Sequence, residues 1–295
     1  MKKIMKENNT IPVTVICPIF NELNNIDKFL IATSNFERVI FIDSNSNDGT
    51  LDKIKRANRE VHQFVYQKGG VKKRQYALDN LVKGDDWILL LDADEEVSKQ
   101  LENEIRAIVS DTDNSKNVYS CVKLFHFMGK RFRFGGFSFR ALLLFQPRFA
   151  RFENLTGVNF DELPMEIHER IITDSNIKNL KNELIHNDFN SLSHYIGKHN
   201  QYSSWEAKVR ISYFSSELKD GSAINANLFG NTQERRRFLK LVISRVSFEP
   251  LIWFVYHYVF RLGFLEGRRG LIAALIRMQY IQNVKAKIYE ASLDK

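Results

Sequence analysis

The stretch WILLLDADEEV, residues 87–97, runs five hydrophobic residues directly into four acids within five positions. A short, unbroken apolar run reads as a strand buried on both faces. Asp92, Asp94, Glu95 and Glu96 then crowd like charges behind it, which is costly unless a cation joins them. Further apolar runs lie upstream: VTVICPIF (13–20), RVIFIDS (38–44) and VHQFVYQ (61–67). Between them, NELNNIDKFLIATSNF (21–36), TLDKIKRANRE (50–60) and KKRQYALDNLVKG (72–84) carry helical signals. The first has Ile26, Phe29, Leu30 and Ala32 at helical spacing, and the last is closed by Gly84. This alternation predicts an α/β fold, a mostly parallel sheet flanked by helices. Ligands of such sheets bind at the carboxyl ends of the strands. Residues 18–22, Asp43 and residues 92–94 all fall at such ends.

At 295 residues, with 44% hydrophobic and 26% charged residues, the chain can bury a substantial core. Residues 120–215 are mixed, holding FRFGGFSF (132–139), PMEIHERI (164–171), LIHNDF (184–189) and a helix-like, aromatic-rich stretch at 191–214. The polar run LKDGSAINANLFGNTQE (218–234) reads as a linker. It divides a domain at 1–217, with halves 1–120 and 121–217, from a C-terminal helical, basic-aromatic extension at 235–295. In that extension twelve Lys or Arg face four acids, an excess equal to the net charge of +8 of the whole chain. Such a tail calls for an anionic partner. Aromatic residues mixed with Arg and Lys on helices suit an anionic membrane surface, and a helical cap packed on the main domain is the competing reading. The apolar run at 250–260 is far shorter than the roughly 20 residues of a bilayer span, and no nucleic-acid-binding motif is present. No apolar stretch follows the basic MKKIMKENNT start, so no secretory signal is expected. Two cysteines, Cys17 and Cys121, are too few for a disulfide framework. A cytoplasmic protein, peripheral at the inner face of the membrane, is the resulting expectation, with self-association left open.

Carboxylates gathered at a strand end fit a divalent cation. Mg²⁺ or Mn²⁺ takes oxygen ligands, commonly one or two carboxylates plus phosphate oxygens, and neutralises charge on a diphosphate. The residues therefore predict a site for a nucleoside diphosphate compound. PIFNE (18–22), FIDSNSNDGT (41–50) and LLLDADEE (89–96), in that order, resemble the signature of inverting family 2 glycosyltransferases with the Rossmann-like GT-A fold. FGGF (134–137), EIHER (166–170), LIHND (184–188) and the basic aromatic tail resemble, more loosely, the subgroup that builds lipopolysaccharide cores and surface polysaccharides.

The resemblance implies roles for particular residues. Pro18, Asn21 and Glu22 would line the nucleotide pocket, and Asp43 would bond uracil or ribose, an Asx turn being the alternative. Asp48, Gly49 and Thr50 would make a turn and start a helix, with Asp48 as N-cap. Arg74, beside Lys73, would stand near the donor, surface solvation being the alternative. Asp92 would face ribose and metal, Asp94 would be the principal metal ligand, and His186 would serve metal or diphosphate unless it is a core histidine. Glu95 and Glu96 read as helix-start or loop acids. Gly135 and Gly136 would allow close approach to the donor sugar, with an ordinary turn as the alternative. Inversion needs a carboxylate to take the proton of the acceptor hydroxyl. Glu169 is the first candidate, with Glu166 and the pair Asp161–Glu162 behind it and His168 orienting the base or donating to the acceptor.

The implied activity is metal-dependent transfer of a hexose from a UDP-sugar to a lipid-linked glycan acceptor. A GT-A-like protein that binds sugar nucleotide or membrane without turnover is the main alternative, and the presence of both Asp92 and Asp94 argues against it. A nicotinamide enzyme would need a Gly-x-Gly-x-x-Gly turn after the first strand, where this chain has PIFNE. An Asp-x-Asp phosphatase would carry its pair at the first strand rather than the fourth.

Overall fold

In the computed structural model, residues 10–67, 71–114, 116–153, 170–186, 189–214, 226–230 and 232–293 are described. Four parallel strands carry the N-terminal half: β1 (Ile11–Ile19), β2 (Phe36–Asp43), β3 (Glu60–Gln63) and β4 (Ile88–Leu90), in the spatial order β3-β2-β1-β4. Ile16, Cys17, Ile40, Phe41, Ile42 and Ile88 are each fully buried, because helices cover both faces of the sheet. That is why these strands lack the apolar–polar alternation of a half-exposed sheet. The crossovers contain α1 (Ile26–Ala32), α2 (Thr50–Arg56) and α3 (Lys73–Asn80). All three are shorter than their helical patterns: NELNN becomes a turn before α1, α2 stops at Arg56 with Glu60 already in β3, and α3 stops ahead of Gly84 in favour of a turn in which Lys83 and Asp86 bond to each other. The register pairs Ile19 with Asp43 and Asp43 with Gln63, so the strand ends finish together.

Past β4 the sheet changes character. β5 (Glu95–Glu96) precedes α4 (Lys99–Val109), whose N-cap is Ser98, its side chain accepting from Leu101 N at 3.2 Å. Glu95 and Glu96 thus form a short strand rather than a helix start. β6 (Val118–Phe127), β7 (Lys130–Arg131), β8 (Phe139–Phe145), β9 (Arg151–Phe152), β10 (Ile171–Ile172), β11 (Ile177–Asn179) and β12 (Leu184–His186) follow. β8 lies antiparallel between β4 and β6, β12 runs parallel to β6, and β5 closes the far edge antiparallel to β12. Beyond the first four strands, therefore, the sheet is mixed.

Helices α5 (Leu192–Phe214), α6 (Thr232–Ser244), α7 (Glu249–Val255) and α8 (Arg268–Leu293) complete the described chain. α6 starts within the stretch read as a linker, whose first eight residues, 218–225, lie outside the described ones. α5 and α8 bury Ala207, Tyr280, Ile281 and Val284 against each other. Arg210 on α5 forks between Glu206 and Glu249, with bonds of 2.6 to 3.0 Å. A π-helical turn (Tyr256–Phe260) and a 3₁₀ turn (Gly263–Glu266) link α7 to α8. Among the described residues, no helix is long and apolar enough to cross a membrane.

Candidate active site

The carboxyl ends of β1, β2 and β4 lie side by side and bring the candidate residues together. Asn21 turns the chain out of β1 with φ of 57°, a left-handed conformation that Asn tolerates. Its N–H donates to Ser46 Oγ (2.9 Å) and its Oδ1 accepts from Asn47 N (3.0 Å), locking the β1 turn to the β2 turn. Glu22 N donates to Thr50 Oγ1 at 2.9 Å, and the Glu22 carboxylate accepts from Asn25 at 2.8 Å. Burial pushes Glu22 up, against the Asn25 bond and with help from the charge of Asp94. Pro18 sits half-buried beside them at the end of β1.

Asp43 is fully buried, and both its oxygens bond Ser46, one through the backbone N–H at 3.0 Å and one through the hydroxyl. The carboxylate thus holds the turn that follows β2 through the residue three positions on. Asp48 accepts from Leu23 N and Thr50 N, each at 3.0 Å, but the N-cap of α2 is Gly49, at φ of 95°. The carboxylate reaches the helix start from one residue further back than expected.

The acids behind β4 divide into two groups. Asp92 is gripped by Arg74 from α3 and by Lys123 from β6, the latter at 3.3 Å. Its recessed position favours the neutral form, yet these two cations outweigh that and hold it well below the usual carboxylate range. Glu95 is buried and forms an ion pair with Lys123, while its Oε2 accepts from Asp92 N at 2.9 Å. Burial raises its pKa to about 7, opposed by Lys123 and assisted by Asp92. Lys123, desolvated but facing both acids, ends well above an ordinary lysine. Lys73, 7% exposed, donates to Ile19 O at 3.0 Å, so neither it nor Arg74 is a solvated surface cation.

Asp94 faces the other way. His186, placed by β12 opposite Glu95, brings Nε2 to 3.5 Å from Asp94 Oδ2. Burial disfavours the charge on Asp94, but the His186 bond and charge overcome it and the pKa falls below its ordinary value. Asp94 Oδ1 is buried with no hydrogen-bond partner among the described residues. An ionised, buried oxygen without a donor is costly in a resting protein, and it fits a cation ligand. Among the described residues no three His, Cys, Asp or Glu converge on one point.

Gly135 and Gly136, at φ of 86° and 67°, adopt left-handed conformations, and what they face is the C-terminal region. A Cβ on Gly136 would lie 2.6 Å from Arg261 Nε. Gly135 N donates to Arg261 O at 2.7 Å, and its carbonyl accepts from His257 Nδ1 at 2.6 Å. These bonds make the glycine pair a seam between the loop and the tail. Glu169, His168, Glu166, Asp161 and Glu162 lie outside the described residues, between Glu153 and Arg170, which bond N to O at 2.7 Å.

Sequence reading missed Lys123 and Ser46. The signal for Lys123 was present: a single cation inside the strand run VYSCVKLFHF must find acids if the strand is buried. Ser46 lies within FIDSNSNDGT, quoted for its resemblance, but that stretch alone did not show that its hydroxyl would meet both Asp43 and the Asn21 N–H.

The model of the family described as Glycosyl transferase family 2 matches residues 14–161. Uncharacterized glycosyltransferases of Rickettsia felis and Rickettsia conorii are 25% and 26% identical over 260 and 263 residues, covering 87% of this chain and 82% of each relative. Among solved structures, S. aureus TarS 1-349 aligns with a TM-score of 0.41 and 14% identity, over 97% of this chain and 92% of its own. Glucosyl-3-phosphoglycerate synthase of Mycobacterium tuberculosis, solved with Mn²⁺, UDP and glucosyl-3-phosphoglycerate, aligns with a TM-score of 0.31 and 17% identity, over 38% of this chain and 44% of that one.

Proposed function

We propose that this chain, which belongs to glycosyl transferase family 2, transfers a hexose from a UDP-sugar to a glycan acceptor with inversion at the anomeric carbon. The observation that carries the reading is the buried, donor-free Asp94 Oδ1 at the carboxyl ends of parallel strands, beside an Asp92 already neutralised by Arg74 and Lys123. Asp94, with His186 beside it, would hold Mg²⁺ or Mn²⁺. When bound, such an ion supplies charge neutralisation for the departing diphosphate. Arg74 and Lys123 keep Asp92 ionised and oriented toward the ribose side. Pro18, Asn21 and Glu22 shape the nucleotide end, which Asp43 braces through Ser46.

In the transfer, the acceptor hydroxyl oxygen bonds to the anomeric carbon while the bond from that carbon to the diphosphate oxygen breaks. UDP leaves with the bonding pair, and the hydroxyl proton passes to a carboxylate, which we assign to Glu169 with His168 as its orienting partner. The acceptor in this reading is a lipid-linked glycan of lipopolysaccharide or surface polysaccharide synthesis, met at an anionic membrane surface through residues 235–295.

A thermal-shift panel of sugar nucleotides with and without Mn²⁺ tests the reading, since a ligand that binds the native state raises apparent stability by mass action. A UDP-sugar should raise the melting temperature only with the metal, and Asp94→Ala should lose both that shift and transfer. Equal shifts with and without Mn²⁺, or full turnover by Asp94→Ala, would overturn the metal assignment.

A further inference from the structure

The segment from the end of α6 to the start of α8 has two faces of opposite character. Inward, it grips the loop between β7 and β8. Glu266 accepts from Arg133 N and Phe134 N at 2.6 and 2.9 Å, His257 stacks on Phe137 with ring centroids 4.7 Å apart, and Arg261 O takes the Gly135 N–H. Outward, Val259, Phe260, Phe264 and Leu265 are 49, 75, 46 and 52% exposed, and Phe248 and Leu251, at 63 and 54%, border a groove against Met278 and Gln282 of α8. Soluble surfaces scatter large apolar side chains singly, and a gathering of this kind within one short segment marks a surface that meets something apolar. The charges are sorted as well. Arg245, Arg261, Arg268 and Arg269 are exposed, whereas the acids of 245–270, Glu249 and Glu266, are turned inward at 0 and 6%.

We infer that this outward face is a membrane-docking surface. Phe260, Phe264 and Leu265 enter the acyl boundary of a bilayer, and the exposed arginines pair with anionic headgroup phosphates. The inference rests on the membrane-surface part of the function proposed above and gives that part a specific element. Charge complementarity selects the partner. A second copy of this chain would set arginine against arginine across a two-fold axis with no exposed acid of the segment to answer it. An anionic bilayer supplies apolar depth and negative charge together, and interfacial binding scales with both. The clamp on the loop also relates the surface to the candidate site. Ser138 Oγ accepts from Phe125 N at 3.1 Å, on β6 two residues beyond Lys123. Docking by the turn would therefore set that site at a defined orientation to the membrane.

Co-sedimentation of the full chain with phosphatidylcholine vesicles, with and without phosphatidylglycerol, tests the inference without needing donor or acceptor. The chain should bind the phosphatidylglycerol vesicles, less so at high salt. The double variant F260E/L265E, altered only at exposed positions, should weaken that binding roughly tenfold or more. Its melting temperature, and the shift given by UDP-sugar with Mn²⁺, should match the parent. Vesicle binding unchanged by F260E/L265E would overturn the inference, as would self-association in sedimentation velocity that this variant abolishes while neither protein binds vesicles. A lost nucleotide shift in the parent chain would sink the transferase reading and leave the vesicle result standing by itself.

Discussion

Two buried clusters of charge can be set side by side: the acids behind β4 and the node where α5, α7 and α8 meet. In the helical node every carboxylate oxygen of Glu206 and Glu249 accepts a hydrogen bond. Arg210 serves both residues, Tyr280 O–H donates to Glu206 at 2.7 Å, and Trp253 Nε1 donates to Glu249 at 3.2 Å. The node is closed, and it fastens three helices to one another. In the cluster behind β4, Arg74 and Lys123 pair with Asp92, and Glu95 Oε1 meets Lys123 as an ion pair without a hydrogen bond, whereas Asp94 Oδ1 has neither a hydrogen-bond partner nor a cation beside it among the described residues. The carboxylates of the helical node complete their bonding internally, as an unmet buried charge is costly. An atom left open in the same kind of environment is available to a ligand.

The largest expected difference between the clusters is in stability. Arg210→Met removes the guanidinium shared by Glu206 and Glu249, leaving Glu206 with Lys240 and Tyr280 and Glu249 with Trp253, and should cost about 3 kcal/mol in urea unfolding. An effect below about 1 kcal/mol would show that the node is not the fastening described. The opposite pattern is expected of Asp94→Asn, which should lower transfer roughly a hundredfold or more while moving the unfolding midpoint far less than Arg210→Met. A midpoint shift as large as that of Arg210→Met would mean that Asp94 is structural.

At the seam between the two regions, burial lowers the pKa of His257 from 6.5 to about 4, with Arg277 and Arg261 acting in the same direction and the Gly135 carbonyl opposing. Its Nε2 has no partner among the described residues, so an imidazolium would bury an unmet donor. Below pH 6.5 the unfolded chain takes up this proton before the folded one does. Stability is thus complete above that pH and falls toward pH 4, by about 3 kcal/mol from this residue. His257→Gln should flatten the decline in that window, and an unchanged pH profile would assign it elsewhere. The smallest effect is expected of Gly136→Ala. It should cost about 1–2 kcal/mol through its left-handed backbone and the approach to Arg261, with only the contact portion recovered by adding Arg261→Ala.

Much of this was legible in the chain. Residues 87–91 announced a strand buried on both faces, and the runs at 13–20, 38–44 and 61–67 announced its parallel neighbours, because burial on two faces leaves an unbroken apolar run in a local stretch of sequence. The acids were rightly placed at strand ends for the same reason. The mixed half of the sheet was not legible, since strand direction there depends on which distant segments pair. Asp43 shows the limit well: its type and position were visible, but its turn onto Ser46 was one of two readings until β1 and β2 were seen to end in register. The glycines at 135 and 136 were read as an approach to the donor sugar or as an ordinary turn, whereas the Arg261 and His257 that face them are more than a hundred residues away and left no trace in the local sequence.

By itself, then, the order of residues determined the alternation of strands and helices, the carboxyl-end placement of Asp92 and Asp94, and the basic character of the tail, all of which follow from local hydrophobicity and charge. Tertiary structure alone decided which of the crowded acids are neutralised. Lys123 reaches Asp92 and Glu95, and His186 reaches Asp94, through strand pairing across the sheet. A charge buried by folding is stabilised or exposed to a ligand according to what lies within a few ångströms in space, and spacing along the chain carries no record of that.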